Sequence, residues 1–138
     1  LHGTLDGISP KLVVLKIGVN NLWRDVSQYK PAGVAAGVQK VVSAIRAKCP
    51  GAKILVLGIL PAQNPADNPL RTTIQEINAI TAKLDNGKTV RFMDIGTKFL
   101  QPDGSIDKAI MPDLLHLSPE GYRRFADAIE PTIHALLK

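Results

Sequence analysis

Three short apolar runs alternate with stretches whose apolar residues recur at helical spacing, and this alternation constrains the fold more than any other feature of the chain. Residues 12–17 are apolar except for Lys16, the pattern of a strand buried on both faces. Val34, Val38, Val41, Val42 and Ile45 follow at helical spacing and stop near Pro50-Gly51. Ile54-Leu55-Val56-Leu57 reads as a second buried strand. Leu70, Ile74, Ile77, Ile80 and Leu84 mark the next helix, with Asn68 placed to cap it and Pro69 suited to its first turn. Residues 90–95 form the third strand. Tyr122, Phe125, Ile129, Ile133 and Leu137 make a last helical stripe, behind Ser118 as N-cap and Pro119 as first helical residue. Strand then helix, three times over, predicts a parallel sheet covered by helices on both faces.

Composition narrows the function classes. A chain of 138 residues is one domain's worth, and with few aromatics its core is aliphatic. The net charge of +5 raises nucleic-acid binding. Yet the Lys and Arg residues are spread evenly, only Arg123 and Arg124 are adjacent, and no aromatics interleave them. That is the pattern of solvated helix faces, so no nucleic-acid partner is expected. Cys49 is alone, which excludes an intramolecular disulfide and reads as a buried thiol. No apolar run approaches the roughly 20 residues of a membrane span. No Gly-rich phosphate loop follows a strand, which disfavours a nucleotide site. With no signal segment and no initiating Met, the chain reads as a fragment or a processed piece.

Two long loops, residues 58–69 and 97–116, leave the carboxyl ends of strands, where open parallel sheets bind ligands. The second ends in Asp113-Leu114-Leu115-His116. An Asp three residues before a His can curl back and accept the imidazole Nδ1–H, leaving Nε2 as a general base. A helix-capping turn with a structural Asp–His bond is the plainer alternative. Upstream, Gly18-Val19-Asn20-Asn21 follows the first strand directly. There the Asn20 amide could donate to a developing oxyanion, with Asn21 making the turn. Trp23 either lines an acyl or leaving-group pocket or covers the sheet edge. His2 and His134 lack acidic neighbours at this spacing and read as surface residues.

These two motifs, in order and about a hundred residues apart, resemble those of the SGNH hydrolases, or GDSL-type lipases and esterases. The branch with the platelet-activating-factor acetylhydrolase catalytic subunits is the most similar. Ile8-Ser9-Pro10-Lys11, the strand and turn at residues 54–61, and Asn68-Pro69-Leu70-Arg71 match as well, so the likeness covers nearly the whole chain. It implies a three-layer α/β/α sandwich with flavodoxin-like winding, here the C-terminal portion of a single domain.

The family's site is built from four blocks. Gly18 to Asn20 corresponds to the third, which supplies an oxyanion donor and a substrate-facing Gly, and Asp113 and His116 to the fourth. The first two, which bring a nucleophilic Ser and an oxyanion Gly, match nothing here. None of Ser9, Ser27, Ser43, Ser105 and Ser118 follows a Gly-Asp pair at a strand end. The resemblance therefore implies a carboxylic-ester hydrolase, acting without cofactor or metal on a small ester such as an acetyl ester. Its serine would come from a segment outside this chain. The alternative is a non-catalytic remnant or subunit that keeps the fold to bind a ligand or partner. In either case Leu12–Leu15 is expected to be an unpaired apolar edge that recruits either the missing N-terminal segment or a homodimer mate.

Overall fold

The computed structural model describes residues 3, 5–22 and 30–138. Three parallel strands, β1 (Leu12–Leu15), β2 (Lys53–Leu57) and β3 (Val90–Met93), lie side by side in chain order. Leu12 stands opposite Lys53 and Leu15 opposite Val56, while Ile54 faces Val90 and Leu57 faces Met93. Helices α1 (Pro31–Lys48), α2 (Pro69–Thr81) and α3 (Pro119–Leu137) follow the three strands in turn.

Alternation along β2 sorts the layers. Leu55 and Leu57 point to a cluster with Phe99, Met111, Ile129 and Leu136, which seats α3. Ile54 and Val56 point the other way, to Val38, Val42 and Ile45 of α1. Leu70, Ile74 and Ile77 of α2 join Val34 and Ala35 of α1 in a third cluster. The α/β/α sandwich is thus the one expected, with β2 buried on both faces. Cys49 is free and buried beside α1.

The caps form as the sequence implies. Asn68 Oδ1 accepts from Leu70 N at 3.0 Å, and Ser118 Oγ accepts from Gly121 N at 3.1 Å.

Several expectations shift. β1 is not buried on both faces: Val14 is 40% exposed and Ile17 is 39% exposed, because no described strand covers its outer edge. β1 ends at Leu15 and β3 at Met93, short of the apolar runs that announced them. α2 stops at Thr81, and Leu84 lies in the short 3₁₀ turn that follows. On α3 the buried row is Gly121, Ile129 and Leu136, whereas Tyr122 and Leu137 are exposed. The cause is a close approach at the helix start. Ser118 N donates to Ile110 O at 2.9 Å, and a Cβ on Gly121 would meet that same oxygen at 2.5 Å. Turning Gly121 inward rotates Tyr122 out.

Candidate active site

The loop before α3 folds into successive tight turns. Leu114 N donates to Met111 O at 2.9 Å, and the Asp113 carboxylate then organises the next three residues. Its Oδ1 accepts from Leu115 N at 3.0 Å and His116 N at 2.7 Å, and its Oδ2 accepts from His116 Nδ1 at 2.5 Å. A carboxylate in this position holds the proton on Nδ1 and leaves Nε2 with a lone pair. Among the described residues Nε2 has no hydrogen-bond partner, and the His116 side chain is 77% exposed.

The His116 side-chain bond, followed by the His116 and Leu115 backbone N–H groups, pulls the Asp113 carboxyl down from 3.8 to about 2. A depressed carboxyl stays ionised as pH falls below its ordinary value. The tie to His116 is therefore complete above 3.8 and lost only as pH drops through about 2.

Asn20 sits in a 3₁₀ turn, Val19–Leu22, immediately beyond β1. Gly18 makes the bend with φ +118°, and a Cβ there would lie 2.8 Å from Ile59 Cδ1. Asn21 N closes the turn on Gly18 O at 3.2 Å, which leaves the exposed Asn20 at the tip. The two turns are neighbours. Val19 and Leu115 pack on one apolar cluster, and both line a cavity of about 50 Å³ with Lys16, Ile17, Ile59 and Leu60. The residues next to Asn20 and next to His116 therefore share one cavity wall beyond the carboxyl ends of β1 and β2.

Gly18 also lines a separate 280 Å³ groove against Gly33 and Gly37 of α1. Trp23, His2 and Ser27 lie outside the described residues. His134 is on the surface, 3.7 Å from Glu130. Ser118 Oγ is committed to Ala109 O at 2.6 Å as well as to its cap. Among the described residues no three His, Cys, Asp or Glu side chains gather as metal ligands.

Three further side chains, to which the sequence motifs assign no role, lie near the site. Lys16 reaches the Phe125 ring, 5.9 Å from its centroid, and burial lowers the ammonium pKa. Asn78 holds the exit of β2: it accepts from Ile59 N at 2.8 Å, and donates to Ile59 O and to Asp94 Oδ2, both at 3.0 Å. Arg71 is buried at 6% exposure. The signal for the last two was position, because residues 71 and 78 fall on the buried side of α2 next to Leu70 and Ile77.

The sequence pattern of the GDSL-like lipase/acylhydrolase family matches residues 1–124. Platelet-activating factor acetylhydrolase IB subunit alpha2 of Rattus norvegicus is 33% identical, over 99% of this chain and 58% of that protein. The alpha1 subunit of Homo sapiens is 34% identical, over 99% of this chain and 57% of its own length. The chain thus spans less than two thirds of these relatives. An acylhydrolase structure from Bacteroides fragilis superposes with a TM-score of 0.77 at 21% identity, covering 94% of this chain and 64% of that one. A GDSL-like lipase from Bacteroides thetaiotaomicron gives 0.68 at 18%, covering 91% and 63%. These two show a shared fold, and the matched sequence pattern shows the lineage: the chain belongs to the GDSL-like lipase/acylhydrolase family.

Proposed function

We propose that this chain carries the base, its orienter and one oxyanion donor of a serine ester hydrolase, with the nucleophilic serine on polypeptide outside these 138 residues. The observation that carries this reading is the 2.5 Å bond from His116 Nδ1 to Asp113, made on a turn that leaves Nε2 open. Nε2 takes the proton of the serine as its Oγ attacks the ester carbonyl. Asp113 holds the imidazole in the right tautomer and stabilises the imidazolium that forms. The Asn20 amide donates to the oxyanion, and His116 returns its proton to the departing alkoxide. Water, deprotonated by the same imidazole, then releases the acyl group. The resemblance implies a small ester as substrate, and the names of the relatives in the acetylhydrolase branch favour an acetyl group.

A fluorophosphonate tests this reading, because it reacts only with a serine whose hydroxyl is activated by a neighbouring base. In a longer protein that includes the serine, the probe should label one Ser, and His116→Ala should abolish labelling. Labelling that persists in His116→Ala would remove His116 from the mechanism. A longer protein that takes no label at all would favour the non-catalytic alternative.

The exposed edge of β1 belongs to the same proposal. Among the described residues no strand pairs with the outer edge of Leu12–Leu15, beside the exposed Val14 and Ile17, and such edges recruit other chains. In the family's sheet the nucleophile-bearing strand is the neighbour at this edge. The 138-residue chain should therefore self-associate in light scattering, and a separately supplied N-terminal segment should dissociate it. A stable monomer indifferent to that segment would refute this pairing.

A further inference from the structure

We propose that the buried Arg71 and the half-buried Asn64 form a clasp that positions the Asp113–His116 turn, a role that rests on the esterase reading for its catalytic consequence. Arg71 has no carboxylate within ion-pair distance among the described residues. Its guanidinium is instead spent on loop acceptors. Nε donates to Ala62 O at 3.0 Å and Gln63 O at 2.9 Å, while Nη2 reaches Asn64 Oδ1 at 3.4 Å and Gly104 O at 3.3 Å. Asn64 carries the tie onward. Its Oδ1 accepts from Ile106 N at 2.9 Å and its Nδ2 donates to Ile106 O at 3.1 Å, across 42 residues of chain.

The clasp ends on the catalytic turn. Gln63, whose carbonyl Arg71 holds, donates its own N–H to Leu114 O at 2.9 Å. Leu114 is the residue that follows Asp113. Among the described residues, Gln63 and Leu114 are also the two non-glycine residues with positive φ, +65° and +61°. L residues hold such conformations only where their surroundings over-determine them. Here the two strained residues are bonded to each other, and Arg71, itself bonded to Asn64, holds the carbonyl of one of them.

Burial lowers the Arg71 pKa, so keeping a charge there is costly. An apolar residue would fill the space without that cost, but could not bind carbonyls from both long loops. The requirement for a planar, multiply donating group is what selects Arg.

The test is Arg71→Lys, whose single ammonium cannot serve acceptors on both loops. In the 138-residue chain, the Gln63 amide should exchange with solvent at least tenfold faster. The Asp113 carboxyl, followed by carbon NMR, should titrate upward from about 2 toward 3.8. The amides of β2 should keep their protection. A folded variant with Gln63 exchange and Asp113 titration both unchanged would overturn the clasp. So would a uniform loss of protection that leaves Asp113 untouched, the mark of a merely structural residue.

If Arg71→Lys does not fold, the unmodified chain supplies the answer. Arg71 Nε–H and Gln63 N–H should open together, with the same dependence on denaturant, and independent opening overturns the proposal. In the longer protein, Arg71→Lys should lower kcat by about 10²-fold at unchanged KM, the scale of an ångström-level misplacement. These NMR readouts need no ester cleavage. A longer protein inactive toward esters would therefore refute the esterase reading while the exchange data judged the clasp separately.

Discussion

The 138-residue chain should hydrolyse p-nitrophenyl acetate no faster than its own His116→Ala variant. The ester needs an activated nucleophile, and the described serines do not supply one. Ser118 spends its hydroxyl on Ala109 O and on the cap of α3, and Ser43 lies within α1. In a triad enzyme, losing the serine costs about 10⁶-fold in kcat, and what remains comes from the oxyanion hole and substrate binding. Here the oxyanion hole is incomplete too, since Asn20 is its one donor in this reading. His116 is left to activate water without a positioned carbonyl, so removing it should change nothing measurable. Supplying the serine-bearing segment should restore turnover by a factor of that same order, about 10⁶. A burst of p-nitrophenol stoichiometric with the isolated chain would show that a serine within it is the nucleophile, and the site would have to be redrawn.

Within a serine-bearing protein, Asp113→Asn should lower kcat by about 10⁴-fold with little effect on KM. The geometry makes this substitution informative. An asparagine can keep its Oδ1 on Leu115 N and His116 N, so the turn retains its shape. What changes is the group facing Nδ1. In place of an acceptor at 2.5 Å there is an amide NH₂, which favours the tautomer with the proton on Nε2, where no base can act. Because the Asp113 carboxyl titrates near 2, the unmodified enzyme loses nothing from this group anywhere near neutrality. Asn20→Ala, by contrast, should cost roughly 10²–10³-fold, the usual size for one oxyanion donor. Near-normal kcat in Asp113→Asn, measured by steady-state ester hydrolysis, would mean that the Asp–His bond is only a helix-capping turn.

What the sequence determined by itself is what short-range physics determines. The three strand–helix units were legible because apolar spacing reports burial within a few residues. The Asn68 and Ser118 caps were legible because a cap bonds two or three residues ahead. For the same reason the sequence pairs Asp113 with His116: among the described residues, every bond the Asp113 carboxylate makes lies within three residues.

Tertiary structure decided the rest. The apolar run of Leu12–Leu15 reads by itself as a strand buried on both faces, and the open edge is expected only from the strand's place in the family's sheet, because burial depends on which strands flank it. Tyr122 belongs to the apolar stripe of α3 by spacing, yet the contact of Gly121 with Ile110 O turns it outward. The position of Arg71 beside Leu70 places it on the buried side of α2, but not its partners, which are set when the loops at residues 62–64 and 104 close around it. The Arg71 bonds reach a carbonyl 33 residues away, and the Asn64 bonds to Ile106 span 42. No local pattern encodes them, because they exist only once the sheet has brought both loops to the same end.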